Sequence, residues 1–588
     1  MFPRIVTRKK GGRTYHWLHI VETFRTEEGK VRQRSLANLG NVNHISAKDI
    51  GNITKGLNRI FGIGEPEEEI LDDPAESLDV GGSYAVLRIW DQLGWGAVIQ
   101  KCLRGTRHSF DVTANIKTLV TNRLLDPCSK LHILEWHKGV FLPGIPRNQI
   151  TYNHLLRAMD FLERNKKKLE VGFSNALIDL FSLDVNIIFY DVTSTYFEID
   201  RADGAEEANP QQGISTLRQK GYSRDKRGDL PQVTIGLVMT QEGIPLAHHV
   251  FPGNRLDKTT LEEIVTDLKG RFRIRRCTFI GDRGMLSEEN LAFLRKERYD
   301  FIIAHPLRQH KDAKEVLKEV EKELREKISQ EVKRARKKNH PIQEVIVDTT
   351  VMGRRFVVAH HEEIAKETKK TRVRNLKKAE ALIEEQVEKL NRQDEGEVFR
   401  GRKLSDEGAL LKIHDYLRDK KLLRYYDIHL DDKKMLQWSR NEKACNWEKK
   451  IDGKLILETS GVNLSPEQVV RRYKDLQEIE RCFRIMKSSL DLRPVFHRVD
   501  RRIRAHAFLC VMALQIDRLM RCRLRKANIS RLPSRVLETL SRQRTIKAKV
   551  EGKAYKGLTT ATVEQLELFK ALDVPKPTLK GIEGKTRL

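Results

Sequence analysis

The chain has few acidic residues for its number of basic ones. It carries 110 lysines and arginines against 82 aspartates and glutamates, which leaves a formal charge of +28 over 588 residues. Such a surplus suits a polyanionic partner, because each Lys or Arg set against a phosphate releases condensed counterions. Charge governs association rather than fold, so a basic protein without a nucleic-acid role stays open at this point.

Paired cysteines and long apolar runs are also missing. The seven cysteines are scattered and include no C-x-x-C pair, and an odd, unpaired set is typical of a reduced compartment. The first ten residues are basic and lack an apolar core, so we expect no signal peptide and a cytoplasmic location. The most apolar late stretch, 505–516, is too short to span a bilayer. It predicts a buried helix, and we expect no membrane partner.

Alternating apolar and polar positions predict β structure at the beginning of the chain. Four residues share one strand face before a turn at 27–30: Tyr15, Trp17, His19 and Val21. We therefore predict a basic N-terminal β-hairpin module over 1–64. An acidic run predicts a linker over 65–82. Helical apolar spacing then predicts an α-helical domain over 83–183.

Residues 184–305 have the pattern of an α/β domain. The predicted order is three strands, helix, strand, helix, strand, with a capping box at Thr259 and Glu262 opening the first helix. The predicted strands lie at 186–192, 232–239, 244–251, 277–281 and 299–304. The first strand ends in Asp191 and the fourth is followed by Asp282.

The rest of the chain divides by charge and helical periodicity. Residues 306–460 contain long charged helical runs around shorter β segments, and charge runs are usually solvated, so we interpret them as a mixed α/β insertion. Residues 461–524 are interpreted as C-terminal helices of the same domain. The basic tail, 525–588, is predicted to hold a hairpin near 551–552 and a short helix.

One helix after Ser465 carries the most specific pattern. Its buried stripe consists of Leu476, Ile479, Phe483, Met486 and Leu490. At roughly 100° per residue, Tyr473, Glu480 and Lys487 form one row beside that stripe, with Arg484 on the same line. Glu478 is predicted to point toward solvent, which favours Glu480 for a site. Taken alone, a surface ion pair of Glu480 with Arg484 explains the row equally well.

Three carboxylates could converge if the strands of Asp191 and Asp282 are parallel neighbours. Both would then emerge at one sheet edge, where a helix could bring Glu480. Attack on a phosphodiester is helped by two divalent ions about 4 Å apart, and Mg²⁺ prefers carboxylate oxygens. We predict Asp191, Asp282 and Glu480 as catalytic residues and ligands of two Mg²⁺ ions, with Mn²⁺ as a substitute. A lone strand-end Asp more often caps a turn, so the prediction depends on all three.

The residues around these acids resemble a known family: insertion-sequence transposases with a DDE domain, of the insertion-sequence-four type. The helical signature of that family is Y-x2-R-x3-E-x6-K, and Tyr473, Glu480 and Lys487 have its spacing. The similar segments are F-Y-D-V-T-S-T-Y-F-E, V-F-P-G-N-R-L-D-K-T-T-L, I-G-D-R-G-M, Y-K-D-L-Q-E-I-E-R-C-F-R-I-M-K and L-R-P-V-F-H-R. The resemblance covers most of residues 80–570.

The resemblance implies a ribonuclease H-like catalytic core interrupted by an insertion between Asp282 and Glu480. It further implies that the protein binds DNA, namely terminal inverted repeats and target DNA, and that it is a homodimer when active. It also implies that the protein is associated with the nucleoid of a prokaryotic cell. It assigns phosphate contacts to Tyr473 and Lys487, and the helical row adds Arg484. The signature Arg falls at Leu476, which is a departure.

Three alternatives to an active transposase differ in what they explain. The first is a catalytically inactive or repurposed DNA-binding protein of the same fold, and the second is a nuclease without joining activity. The third, a structural coiled-coil protein, leaves the strand-rich residues 186–304 unexplained. The hairpin module and the helical domain are the expected readers of the terminal repeats, because a catalytic core mainly grips the DNA backbone.

Overall fold

Apolar residues at alternating positions form the sheets of the protein. The structure is a computed structural model. The structure describes residues 1–61, 76–181, 187–198, 217–225, 227–256, 259–272, 274, 277–281, 287–308, 311–396, 403–461, 463–550 and 553–583. The chain divides into two compact units, Met1–Ser77 with Ile546–Gly557, and Leu78–Thr545 with Leu558–Leu588.

The N-terminal residues form an antiparallel sheet. Its strands, in spatial order, are β1 (Phe2–Lys10), β2 (Arg13–Arg25) and β3 (Val31–Asn41), and helix α1 (Ala47–Phe61) follows. The predicted hairpin joins β2 to β3: the Gly29 N–H donates to the Thr26 carbonyl at 2.8 Å, and Gly29 has φ of 76°, which glycine adopts at little cost. Strand β1 adds a third strand to the predicted hairpin.

A helical region follows, as the sequence predicts. Its elements are the short strand β4 (Glu76–Asp79) and helices α2 (Gly81–Gln92), α3 (Trp95–Leu103), α4 (Val112–Leu125), α5 (Ile133–Gly139), α6 (Tyr152–Arg164) and α7 (Lys166–Phe181). Their inward faces share one apolar cluster that includes Trp90, Trp95 and Phe173. Of the predicted linker, residues 65–75 lie outside the described residues, and the rest belongs to β4 and the beginning of α2.

The central sheet contains the predicted α/β order. Its elements along the chain are β5 (Ile187–Tyr196), β6 (Gln232–Met239), β7 (Pro245–Pro252), α8 (Leu261–Arg271), β8 (Thr278–Gly281), α9 (Glu288–Lys296) and β9 (Asp300–Ala304). The spatial order is β7-β6-β5-β8-β9. Strands β5, β8 and β9 run parallel, and β6 is antiparallel to both of its neighbours. The predicted ribonuclease H-like α/β class is confirmed.

Two local predictions in this region are wrong. Strand β5 does not end at Asp191 but continues to Tyr196, because its second half pairs with β6. Helix α8 has Thr260 as its N-cap with no side-chain cap bond, so the capping box predicted at Thr259 does not form.

Alternate residues of β5 face two different cores. Ile187 and Phe189 pack in the cluster that also contains the helical region and the C-terminal helices. Ile188, Tyr190 and Val192 pack in a second cluster with α8 and α9. The sheet is thus covered by helices on both faces, which is the usual arrangement of parallel strands.

The segment 306–460 contributes to the same sheet. Its elements are α10 (Lys311–Lys338), β10 (Val345–Val351), β11 (Arg354–His360), α11 (Glu362–Asp394), α12 (Asp406–Asp419), β12 (Tyr426–Leu430), β13 (Leu436–Arg440), α13 (Glu442–Ile451) and β14 (Lys454–Thr459). Strands β10, β11 and β14 extend the central sheet beyond β9 in the order β10-β11-β14-β9. Helices α11 and α12 with strands β12 and β13 form a separate apolar cluster.

The C-terminal part is mostly helical. Its elements are α14 (Pro466–Lys474), α15 (Gln477–Ser488), α16 (Asp500–Lys526), α17 (Pro533–Ser541), β15 (Arg544–Val550), β16 (Lys553–Leu558), α18 (Val563–Ala571) and α19 (Leu579–Glu583). Helix α16 is buried along most of its length, as predicted for 505–516. Strands β16, β15 and β4 form a small sheet. No helix within the described residues combines the length and apolarity needed to cross a bilayer.

Candidate active site

Asp191 lies in the middle of the central sheet, on the face that α15 covers. Alternation places its side chain on the same face as Phe189, and its cross-strand partner, Leu237, belongs to the same apolar cluster. Helix α15 packs against β5 on this side. The Asp191 carboxylate is half-buried and accepts the Val192 N–H at 2.7 Å. It is therefore held on a rigid strand beneath the helix that carries Glu480.

Strands β5 and β8 are parallel neighbours, as the convergence of the aspartates requires. Their last paired residues are Tyr190 and Gly281. Asp191 follows Tyr190 directly, and Asp282 follows Gly281 directly in the sequence. Asp282 itself lies outside the described residues.

The helix predicted after Ser465 is broken in two. Helix α14 begins with the predicted cap, a reciprocal pair of hydrogen bonds between Ser465 and Gln468, and ends at Lys474. Tight i to i−3 bonds follow, in which the Leu476 N–H donates to the Tyr473 carbonyl at 3.1 Å. Tyr473 is therefore on α14, while Glu480 and Lys487 are on α15, and the single row predicted from continuous periodicity is interrupted.

The prediction for Glu478 is also wrong. Its side chain is 24% exposed and its carboxylate pairs with Arg518, which is 1% exposed, at 2.7 Å. Although burial, the largest single influence, would raise it, the pKa of Glu478 is lowered by Arg518 and its other arginine neighbours. Glu478 is thus committed to an ion pair with α16.

Glu480 has the opposite environment. Its side chain is exposed, and within the described residues its carboxylate makes no ion pair. The surface pair with Arg484 considered from the sequence is absent, although both residues are described. Of the two glutamates in the first turn of α15, Glu480 is the one whose oxygens remain available to a ligand.

The donor chemistry suits a hard divalent cation. Asp191 and Glu480 both offer carboxylate oxygens, which such ions prefer, and both belong to elements packed together on one face of the sheet. Within the described part of the chain no group of three His, Cys, Asp or Glu side chains is assembled for metal binding. Asp282, the third residue predicted for this set, is not among the residues searched.

Lys487 is bound to an acid that the sequence interpretation missed. Its ammonium lies 3.0 Å from Asp225, and the Arg493 guanidinium lies 2.8 Å from the same carboxylate. Burial lowers the pKa of Lys487, while the hydrogen bond to Asp225 opposes that shift. Asp225 was hidden in a polar stretch without regular periodicity, whereas Arg493 stands inside the quoted L-R-P-V-F-H-R segment. Arg493 also lies over the Tyr196 ring at 5.2 Å, so this cation cluster adjoins the end of β5.

The other residues predicted to contact DNA differ in exposure. Tyr473 is half-buried against the main apolar cluster. Arg484 is exposed, and its guanidinium has no ion pair among the described residues. Leu476, at the position of the signature Arg, is buried at 7% exposure. Lys474, two residues before Leu476, pairs with Glu344 at 2.6 Å.

Comparison with known proteins identifies the family of the chain. Residues 209–516 match the family described as transposase DDE domain, and residues 3–68 match the N-terminal domain of IS1634 family transposases. The first match begins after Asp191 and contains Asp282 and Glu480. No curated protein gives a significant match. Because the DDE match covers more than half of the chain, this protein belongs to the transposases with a DDE domain.

Proposed function

We propose that Asp191, Asp282 and Glu480 are the catalytic carboxylates of this DNA transposase, and that it cleaves and joins the ends of an insertion sequence of the insertion-sequence-four type. The observation that carries the proposal is the parallel pairing of β5 with β8 through Tyr190 and Gly281. In the sequence, the residue that follows each of these two is an aspartate, Asp191 and Asp282. Helix α15, with its available Glu480, packs against the same strand.

The alternation of side chains along the strands also supports the proposal that Asp191 and Asp282 lie on the same face of the sheet. Ile280 and Phe189 belong to the cluster on the α15 side of the sheet, and Asp282 and Asp191 each stand two residues further along. Successive residues of a strand alternate in direction. Asp191 shares that side, and we propose that Asp282 does so too.

DDE transposases use divalent metal ions, and we propose two Mg²⁺ ions here, with Mn²⁺ able to substitute. Asp191 and Asp282 would hold one ion, and Glu480 would complete the second site. When bound, such ions activate the attacking oxygen and stabilise the leaving oxygen of a phosphodiester. The residues would supply oxygen ligands: Asp191 is oriented by the Val192 N–H, and Glu480 makes no ion pair within the described residues, whereas Glu478 pairs with Arg518.

The reaction proposed has two phosphoryl transfers. Water first attacks the phosphodiester at the transposon end and releases a 3′-hydroxyl. That hydroxyl then attacks a phosphodiester of target DNA, so one bond forms and one breaks in each step. Both steps need the attacking oxygen in line with the leaving oxygen, a geometry that carboxylates on a rigid sheet can maintain.

Cations near α15 are proposed to hold the DNA backbone. Arg484 is exposed and unpaired within the described residues, which suits direct phosphate contact. Lys487 would exchange Asp225 for a phosphate, and Tyr473 would contact the backbone from the end of α14. We further propose that the basic N-terminal sheet and the helical region bind the terminal inverted repeats, and that two copies pair two ends.

Two assays test this function. Cleavage of DNA bearing the flanking repeats should require Mg²⁺ or Mn²⁺, and the joining of pre-cut ends to a plasmid should require the same ions. The proposal fails if neither reaction occurs with repeats shown to bind the protein, which is the outcome for an inactive DNA-binding protein. Cleavage without joining would instead identify a nuclease of the same fold.

A further inference from the structure

A basic cavity lies in the segment 306–460, between helices α10 and α13 and the beginning of strand β14. Its volume is about 470 Å³, and ligand sites usually measure roughly 300–1,000 Å³. Six basic side chains and one acidic side chain line it: Lys314, Lys318, Arg325, Lys449, Lys450 and Lys454, with Glu321. The rest of its lining is apolar. We call it the α10 cavity.

The lysines of the α10 cavity have no carboxylate partners. The acid that lines the cavity, Glu321, pairs with Arg325 one turn further along α10. The neighbouring acids Glu448 and Asp452 pair with arginines outside the cavity, at 2.6 and 2.5 Å. Among the described residues none of the five lysines forms an ion pair, so the cavity retains their positive charge.

Lys454 differs from the other four lysines in its burial. It is half-buried, and its ammonium donates to the Lys450 carbonyl at 2.6 Å. Burial lowers the pKa of Lys454, while the nearby carboxylates of Asp452 and Glu321 oppose that shift. The other four lysines of the cavity are exposed to solvent. The attraction of the cavity for an anion therefore does not depend on Lys454.

The floor of the α10 cavity is apolar and well packed. Leu317 and Leu324 are buried in the cluster between α10 and the sheet. The Trp447 indole N–H donates to the Leu307 carbonyl at 3.1 Å, and the Lys314 ammonium lies 5.7 Å from the centre of the Trp447 ring. A cleft that combines like charges with low-dielectric walls focuses their field. This cavity is therefore suited to attract a polyanion.

The α10 cavity lies at the same edge of the central sheet as the proposed carboxylates. Strand β14 runs antiparallel to β9, and its Leu457 pairs with Ala304, the last residue of β9. Lys454 precedes Leu457 by three residues, so it lies beyond the end of β9. Strand β14 is three strands from β5, a lateral distance of about 15 Å at the usual spacing of strands.

The α10 cavity and helix α15 are on opposite faces of the sheet. Ile456 packs in the cluster beneath α10, whereas Leu457 packs in the cluster that contains the buried residues of α15. Since successive residues of a strand alternate in direction, Lys454 shares the face of Ile456. DNA held by Arg484 and Lys487 would approach from the α15 face, and a second duplex could approach the same edge from the α10 face.

We propose that the α10 cavity binds the phosphate backbone of target DNA. Strand joining brings two DNA molecules to one set of carboxylates, and the cations on α15 are those proposed for the transposon end. The α10 cavity supplies a separate group of cations at the same edge, and lysine contacts to phosphates position a duplex without reading its sequence. The proposal rests on the transposase function proposed above and names the site of its second DNA substrate.

The first test compares cleavage with joining in the full-length double variant Lys318→Gln/Lys450→Gln. Both lysines are exposed, so the melting temperature should not change. We expect the joining of pre-cut ends to a plasmid to fall at least about fivefold, because two phosphate contacts are lost, while cleavage of end-bearing DNA is retained. The matched control, Lys369→Gln/Lys370→Gln, removes the same charge from exposed positions of α11 and should change neither reaction.

The second test measures DNA binding in EDTA, so that no cleavage occurs. For a short duplex without the terminal repeats, the cavity variant should bind more weakly than the control variant, and its slope of log affinity against log salt should be smaller by about 2. Affinity for end DNA should be retained.

Two results would overturn the proposal. One is joining and repeat-free binding that are equal in the cavity variant and the control variant. The other is a parallel loss of cleavage and end binding, because the cavity would then hold the transposon end. A wild-type protein that neither cleaves nor joins would count against the transposase function instead, and the binding measurement, which needs no metal, would still test the cavity.

Discussion

Asp225 and Lys487 form an ion pair at 3.0 Å in which both side chains are mostly buried, with 16% and 13% exposed. Lys487 is also the residue that the family resemblance assigns to a phosphate of the transposon end. If Lys487 binds a phosphate as proposed, the carboxylate of Asp225 competes with that phosphate for the Lys487 ammonium. This relationship makes the proposed DNA contact open to direct measurement.

Asp225→Asn should tighten DNA binding. The substitution keeps the shape but removes the charge that competes with phosphate for Lys487 and Arg493, and we expect affinity for end DNA to rise roughly fivefold at moderate salt. Lys487→Met should weaken binding and reduce the slope of log affinity against log salt by about 1. The control is Asp229→Asn, because Asp229 pairs with Arg227 instead. Unchanged affinity in Asp225→Asn would contradict the competition.

Substitution of Glu478 should reduce the stability of the protein, whereas substitution of Glu480 should reduce its catalytic activity. Glu478→Gln leaves Arg518 buried without its charge partner, so we expect a loss of about 3 kcal/mol in the free energy of unfolding, measured by urea titration, with cleavage retained by the folded protein. Glu480→Gln should leave the unfolding midpoint unchanged, since its side chain is exposed. If the folded Glu478→Gln variant lost cleavage and the Glu480→Gln variant kept full activity, Glu478 rather than Glu480 would be the catalytic glutamate.

His497 should make the protein less stable in acid. Burial, helped by Lys130, lowers its pKa from 6.5 to about 3. Between those values the unfolded chain binds a proton that the folded chain does not, so the free energy of unfolding falls as the pH falls, by about 1.4 kcal/mol per pH unit for one proton. His497→Gln should flatten this dependence in urea titrations. His414→Gln, at an exposed position, is the control, and equal slopes for both variants would refute the prediction.

Restoring the signature Arg at Leu476 should harm the protein. Leu476 is 7% exposed and packs in the main core, so Leu476→Arg would bury a guanidinium without a partner at a cost of about 3 kcal/mol. We expect a lower melting temperature and no gain in DNA affinity. Leu476→Met conserves the volume and should cost less than about 1.5 kcal/mol. Higher DNA affinity in a stable Leu476→Arg variant would show that the departure weakens the site.

Local periodicity was enough to predict the core strands and their order. Strand β6 was located to the residue and β8 to within one, since apolar runs bounded by turns are a local property of the sequence. Neither the continuation of β5 past Asp191 nor the addition of β10, β11 and β14 to the sheet could be predicted, because both depend on pairing with distant strands. Two features of the site were also beyond local periodicity. The break between α14 and α15 leaves the apolar spacing intact, so the sequence pattern does not reveal it. The direction of the Glu478 side chain depends on its ion pair with Arg518, which lies forty residues away in the sequence.

The carboxylate set is tested most directly by isosteric variants in one cleavage assay with Mg²⁺. Asp191→Asn, Asp282→Asn and Glu480→Gln keep side-chain size while removing the charge that would hold the ions. Each should cleave end-bearing DNA at least about a hundredfold more slowly than the wild type and bind that DNA with similar affinity, while Asp229→Asn cleaves normally. Wild-type cleavage by any one of the three would show that its carboxylate is not part of the catalytic set.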